Sequence, residues 1–99
     1  MAKLRIYLYK DLDTYLKDKT QRYNIIKDTL IEYCLDKDRD LVKDTVKFSV
    51  ECSSTVVDLR IPKRLLEELE TIGNEYSWSR NMVINKILIA KLLNGDVDG

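Results

Sequence analysis

Charged and apolar side chains alternate in two short segments of this 99-residue chain, residues 3–8 (KLRIYL) and residues 56–61 (VVDLRI). A period of two is typical of a half-buried β-strand, in which every second side chain faces away from the core. An arginine on such a face can donate two parallel hydrogen bonds to a pair of acceptors. Taken alone, the alternation favours the ordinary solvated face of an antiparallel sheet. The outward set comprises Lys3, Arg5, Tyr7, Val56, Asp58 and Arg60.

Residue types that serve catalysis or metal binding are scarce. The chain has no histidine, which removes the usual general base near neutral pH and the ordinary serine and cysteine triads. Its two cysteines, Cys34 and Cys52, would need carboxylates to complete a tetrahedral zinc site. Gly73, Gly95 and Gly99 do not cluster into a phosphate-binding loop. We therefore expect a protein that is not an enzyme and that holds no metal or other cofactor.

The overall charge is balanced, with 17 Lys+Arg against 17 Asp+Glu, so any nucleic-acid surface must be local. With 44% hydrophobic residues, one proline and three glycines, the composition predicts an ordered, helix-rich domain. No apolar stretch approaches the roughly 18 residues of a membrane span. The N-terminus lacks the apolar segment of a secretion signal. We expect a cytoplasmic protein with no membrane partner and no small-molecule substrate.

The C-terminal part of the sequence predicts a strand followed by two helices. Pro62 ends the strand at 56–61 and suits the first turn of a helix. A leucine-rich amphipathic helix follows and is expected to break around residues 73–77. Ser79 is then placed to cap a second helix, whose apolar positions recur at helical spacing between residues 83 and 92.

The N-terminal part repeats this order with a shorter first helix and a shorter hinge. Its longer helix has apolar positions at helical spacing between residues 25 and 34. Thr20 is the expected cap of this helix, in the place of Ser79, and Gln21 or Asn24 could serve instead.

Between the two parts, residues 36–54 form a charged connector. Alternation within 46–52 predicts an extra strand, and Ser53-Ser54 could turn that strand back against the next one as a hairpin. The apolar neighbours of Cys34 and Cys52 predict that both cysteines belong to the core. A disulfide between them is disfavoured.

These elements predict a mostly α-helical fold with a short antiparallel β-ribbon. The expected organisation is a first strand-helix-helix unit over residues 1–35, the connector over 36–54 and a second unit over 55–99. One such unit leaves the backbone groups of its strand unpaired. We therefore expect the two units to pair their strands and to close one core as a pseudo-dimer within a single chain.

The run VVDLRIPKRLLEELETIGNEYSWSRNMVINKIL resembles the ribbon-helix-helix transcriptional regulators of the Arc/MetJ class. Their usual pattern is an alternating strand with an arginine, a proline, a leucine-rich helix, and a Ser-Arg hinge that opens a second helix. Residues 56–93 follow this pattern well, and residues 3–35 follow it more loosely, because Tyr9 stands where Pro62 does. The tandem arrangement in a short chain is also similar to regulators from viruses of thermophilic archaea.

The resemblance implies that the paired strands enter the major groove of double-stranded DNA, which admits a two-stranded ribbon. The family register would place Arg5 opposite Asp58. The implied base contacts are Lys3, Arg5, Tyr7, Val56, Asp58 and Arg60, with Lys3 opposite Arg60 and Tyr7 opposite Val56. The starts of the second helices would contact phosphate. The phosphate candidates are Thr20, Gln21, Arg22, Ser79, Arg80 and Asn81, with Lys63 and Arg64 as further candidates or as ordinary surface charges.

The function implied is that of a sequence-specific transcriptional regulator, and in particular a repressor, acting at an operator or promoter. It would work in the host cell cytoplasm if the chain is viral, and chains could associate further along DNA. An antitoxin-like regulator is an alternative, although only residues 96–99 follow the last predicted helix. The other alternative is a structural or protein-interaction module without DNA binding, which the balanced charge and Asp58 on the ribbon favour.

Overall fold

A computed structural model of the protein describes residues 2–36 and 51–93. Within them a strand followed by two helices occurs twice. The elements are β1 (Ala2–Tyr9), α1 (Lys10–Leu16), α2 (Arg22–Asp36), β2 (Cys52–Ile61), α3 (Lys63–Tyr76) and α4 (Arg80–Leu88), the last continued by a π-helical segment (Ile89–Leu93). The predicted mostly helical fold with a two-stranded antiparallel sheet is confirmed.

β1 and β2 form a two-stranded antiparallel ribbon. Their pairing keeps one register from Ala2 opposite Ile61 to Tyr7 opposite Val56, and a bulge then places Tyr9 opposite Cys52. The alternation in the sequence works as predicted, because one face of the ribbon is buried and the other is exposed. The buried side chains of the ribbon are Leu4, Ile6, Leu8, Val57, Leu59 and Ile61.

The helices close the core against the inward face of the ribbon. Each helix supplies a stripe of apolar side chains, because its leucines and isoleucines recur every three or four residues. The buried residues of the helices include Leu12, Leu16, Ile26, Leu30, Tyr33, Leu65, Leu69, Ile72, Val83, Ile84, Ile87 and Leu88. All of them belong to a single cluster with the ribbon, so the two halves of the chain share one core. Within residues 2–36 and 51–93, no helix is both long and apolar enough to cross a bilayer.

The end of α3 depends on one close backbone approach. Ser77 adopts a left-handed conformation with φ 59°, and the N–H of Trp78 donates to the carbonyl of Gly73 at 2.8 Å. A methyl group added at Gly73 would lie 2.8 Å from the carbonyl oxygen of Trp78. The sequence predicted a break around residues 73–77, and α3 ends within that range, at Tyr76. The glycine is required because the following turn passes directly over it.

Two predictions for the segment around β2 are wrong. Ser53 and Ser54 lie inside β2, which runs without a break from Cys52 to Ile61, so they form no hairpin turn. Cys52 is exposed rather than part of the core, because it is in phase with the outward positions Val56, Asp58 and Arg60 of β2. Residues 46–50 of the predicted extra strand lie outside the described residues.

Candidate nucleic-acid interface

The outward face of the ribbon is a ladder of three facing residue pairs. Lys3 lies opposite Arg60, Arg5 opposite Asp58, and Tyr7 opposite Val56, as the predicted register requires. All six of these residues are exposed. The strands therefore bring together the complete outward set that was singled out from the sequence.

The central pair is an ion pair with two contacts. Arg5 Nε donates to Asp58 Oδ1 at 2.9 Å, and Arg5 Nη2 donates to Asp58 Oδ2 at 3.5 Å. The hydrogen bond from Arg5 lowers the pKa of Asp58 below its ordinary value, and Lys3 acts in the same direction. The side chains are 61% and 49% exposed, so water screens the pair and its contribution to folding stability is small. Its structural effect is to hold the guanidinium across the ribbon axis.

The two outer pairs differ in chemistry. Lys3 and Arg60 are both cationic. Tyr7 and Val56 carry no charge at neutral pH, and they are among the large apolar side chains most open to solvent, with 46% and 40% exposed. One end of the ladder is therefore cationic and the other end is apolar.

Arg80, the first residue of α4, reaches the same surface. It lines a shallow depression of about 300 Å³ together with Lys3, Arg5 and Asp58. Arg80 Nη1 also lies 3.4 Å from Glu70 Oε1. Asp58 compensates Arg5 and Glu70 compensates Arg80, so the cationic character of the depression comes chiefly from Lys3.

The starts of α2 and α4 have the same local construction. Ser79 Oγ accepts a hydrogen bond from Met82 N at 3.2 Å, which confirms the predicted cap of α4. The carbonyl of Ser79 accepts from Val83 N at 3.0 Å, and the carbonyl of Gln21 accepts from Ile25 N at 2.9 Å. Gln21 therefore occupies the position of Ser79.

The preferred cap of α2, Thr20, is wrong by one residue, and the alternative given from the sequence, Gln21, holds the position. The first residue of α2 is Arg22, which places Thr20 one residue before the capping position. Thr20 and Gln21 are exposed and Arg22 is half-buried.

Two asparagines of α4 bind the backbone of β1. Asn81 Oδ1 accepts from Tyr7 N at 2.8 Å, and its Nδ2 donates to Tyr7 O at 3.1 Å. Asn85 Oδ1 accepts from Tyr9 N at 2.9 Å, and its Nδ2 donates to Tyr7 O at 3.0 Å and to Asn81 O at 2.9 Å. Together they satisfy backbone groups on the edge of β1 that faces away from β2.

The role of Asn85 was missed at the sequence level. The available signal was its place among the apolar residues of α4, since a buried amide must find partners. The side chain of Asn81, predicted to contact phosphate, is engaged with Tyr7. Its backbone N–H, like that of Arg80, lies in the first turn of the helix, where no carbonyl four residues earlier is available to it.

The cysteines and the acidic residues form no metal site among residues 2–36 and 51–93. Cys34 and Cys52 are both free thiols. Cys34 is half-buried against the core, and burial together with nearby Glu68 raises its pKa to about 12.

Comparisons with known proteins give no match: no family model, no curated protein and no solved structure is significantly similar to the chain. The small strand pair followed by helices is compatible with a ribbon-helix-helix fold. The likeness to those regulators therefore rests on the residues and on the geometry described above.

Proposed function

We propose that this protein is a sequence-specific double-stranded DNA-binding regulator that inserts its β-ribbon into the major groove. The observation that carries the proposal is the exposed three-pair ladder on the outward face of the ribbon. A major groove about 12 Å wide admits such a ribbon, and arginine and lysine donate well to the O6 and N7 acceptors of guanine. Arg60 and Lys3 are the proposed guanine contacts.

The numbering of the elements supports a pseudo-dimer of two ribbon-helix-helix units. α1 begins at Lys10 and α3 begins at Lys63, and this offset equals the separation of 53 between Arg5 and Asp58. Arg5 and Asp58 are therefore equivalent positions of the two units, and they face each other. This is the arrangement that a twofold axis through the central pair would produce.

The outer pairs obey the same relation. The same offset relates Lys3 to Val56 and Tyr7 to Arg60. Exchange of the two units therefore converts the Lys3–Arg60 pair into the Val56–Tyr7 pair, and both pairs are observed. The starts of α2 and α4, Arg22 and Arg80, are separated by 58 rather than 53, because the first helix and turn of the second unit are together five residues longer. The three facing pairs support docking of the units as in a family dimer.

The starts of α2 and α4 are the proposed phosphate contacts. Free backbone amides and the positive end of the helix dipole attract phosphate, and Arg22 and Arg80 add cationic side chains there, with Arg80 exchanging Glu70 for phosphate. Such contacts position a protein on DNA without reading its sequence. Because the net charge of the chain is zero, binding must depend on this local arrangement rather than on a general attraction.

The regulatory mode that we propose is repression by occupancy of an operator or promoter. All elements in residues 2–36 and 51–93 contribute to the ribbon or to the shared core. This part of the chain therefore offers no separate module for activation or ligand sensing.

DNA-binding selection from random duplexes, followed by titration at several salt concentrations, tests the proposal. If about six phosphates are engaged, a plot of the logarithm of the binding constant against the logarithm of the salt concentration should have a slope of about −5. Arg60→Ala should cost about 1–3 kcal/mol on the selected site and relax preference at one position, whereas Arg80→Ala should weaken binding to all duplexes alike. Lys17→Ala, at the exposed end of α1, is the control and should leave binding unchanged.

A protein-interaction module is the competing function, and the Arg5–Asp58 ion pair favours it because it neutralises the centre of the outward face. That function predicts no selected sequence and an affinity for DNA that does not change with salt. If the Arg60→Ala variant bound the target and a scrambled duplex with the affinities of the wild-type protein, the proposed contact would also be refuted.

A further inference from the structure

The two ends of the outward ladder are chemically different, although the ribbon that carries them is nearly twofold in its backbone register. The Lys3–Arg60 end presents two cations, and the Tyr7–Val56 end presents an exposed aromatic ring and two methyl groups. A twofold exchange would superpose these unlike ends. The ladder therefore has a direction.

Each end has a preferred partner among the bases. Arginine and lysine donate to guanine O6 and N7, and apolar side chains contact the C5 methyl of thymine. The ends are four residues apart along each strand, which is about 14 Å at roughly 3.4 Å per residue. At about 3.4 Å per base-pair step, the ladder spans about four base pairs.

The surface beside the ladder shows the same difference. Arg80 shares a depression with Lys3, Arg5 and Asp58. The twofold-related position of Lys3 is held by Val56, so the equivalent surface on the other side of the ribbon lacks that cation. The central Arg5–Asp58 pair is also directional, since a donor and an acceptor exchange places under the twofold relation.

We propose that the ribbon reads a directional, non-palindromic core of about four base pairs. G·C pairs face the Lys3–Arg60 end and A·T pairs face the Tyr7–Val56 end. This inference rests on the proposed DNA-binding function. It assigns specificity to the difference between the two halves of one chain, whereas a homodimer would present two identical halves.

Cys52 supplies a built-in reporter of the bound orientation. It lies opposite Tyr9, just past the apolar end of the ladder, and its side chain is exposed. Cys34 is half-buried with a pKa of about 12, so a thiol-directed reagent at mild pH should attach to Cys52. An iron chelate attached there cleaves the DNA backbone nearest to it.

The experiment combines selection with cleavage. Selection from random duplexes should return a core rich in G·C at one end and in A·T at the other. On that duplex, the chelate on Cys52 should cut predominantly beside the A·T end. Arg60→Gln should reduce the preference for guanine at the base pairs that face the Lys3–Arg60 end by about tenfold or more, and it should leave the preference for A·T at the other end in place.

A variant that exchanges the two ends provides the decisive comparison. The substitutions are Lys3→Val, Val56→Lys, Arg5→Asp, Asp58→Arg, Tyr7→Arg and Arg60→Tyr. All six side chains are exposed, and the exchange preserves the central ion pair. The variant should select the same core but bind it in the opposite orientation, which moves the cleavage from the A·T end to the G·C end, about four base pairs away.

The outcomes separate the two proposals. A palindromic selected core, or equal cleavage at both ends of a specifically bound core, overturns the directional reading while leaving DNA binding intact. Absence of any selected sequence, with salt-independent binding, refutes the proposed function itself. If the exchange variant does not fold, one-sided cleavage by the wild-type protein and the Arg60→Gln selection still decide the question.

Discussion

Replacing Asn85 should reveal how strongly α4 holds β1. Asn85 is fully buried, and its amide makes hydrogen bonds with Tyr9 N, Tyr7 O and Asn81 O at 2.9, 3.0 and 2.9 Å. In an Asn85→Leu variant the buried N–H of Tyr9 loses its acceptor, which costs about 1–3 kcal/mol, and loss of the other two bonds adds about 1 kcal/mol. We expect the free energy of unfolding to fall by about 2–4 kcal/mol.

The assay is urea unfolding followed by circular dichroism, with thermal unfolding in parallel. For a domain of this size the loss corresponds to a decrease in Tm of about 10 °C or more. Asn81→Ala is the matched control, because its bonds to Tyr7 are solvent-accessible and water can replace them. It should cost about 1 kcal/mol or less. An Asn85→Leu variant within about 0.5 kcal/mol of wild type would refute the reasoning.

An Asn85→Asp variant adds a pH test of the same contacts. Its carboxylate could still accept from Tyr9 N, but it would face the carbonyl oxygens of Tyr7 and Asn81 in a buried site, so its pKa should be raised. A raised carboxyl pKa means that the folded state binds a proton more readily than the unfolded state. The variant should therefore gain stability, relative to wild type, as pH falls through that pKa, because the protonated carboxyl can donate to a carbonyl. Parallel pH profiles for the two proteins would contradict this account.

Three further predictions concern other parts of the molecule. Gly73→Ala should destabilise the fold by about 1–3 kcal/mol, measured by urea unfolding, although alanine normally favours a helix; a gain in stability would contradict the close approach at this site. Iodoacetamide at mild pH should modify Cys52 in the native protein much faster than Cys34, as read by mass spectrometry, and equal rates would contradict the described burial. Arg5→Gln should raise the pKa of Asp58 toward its ordinary value in an NMR titration, because it removes the cation that stabilises the carboxylate. The pair's small stabilising contribution in the wild type should be lost as pH falls through the lowered pKa of Asp58, and an unchanged titration in the variant would exclude Arg5 as the cause.

Much of the ribbon was predictable because its signals are local. Alternation of side chains predicted which face of each strand is buried, and the exposed set from Lys3 to Arg60 has the predicted exposure. The family resemblance predicted that Arg5 lies opposite Asp58 across the ribbon, and this pairing is confirmed. The use of these residues in DNA binding stays a prediction.

For the helices, the buried positions were predicted better than the ends. Apolar spacing identified the buried stripes of the helices, because a period of 3.6 residues is a property of the chain itself. The predicted break around 73–77 contains the end of α3, whereas the start of α2 was placed one residue early at Thr20, since threonine has several local uses and neighbouring turns decide among them.

The sequence by itself determined the alternating strands, the amphipathic helices and the chemistry of the exposed face. Only the tertiary structure decided that Asn85 binds the edge of β1, that Arg80 lies beside Lys3, and that the bulge places Tyr9 opposite Cys52. The physical reason is the range of the forces involved. Periodicity follows from local backbone geometry, whereas these contacts join residues far apart in the chain and depend on how its two halves pack around their shared core.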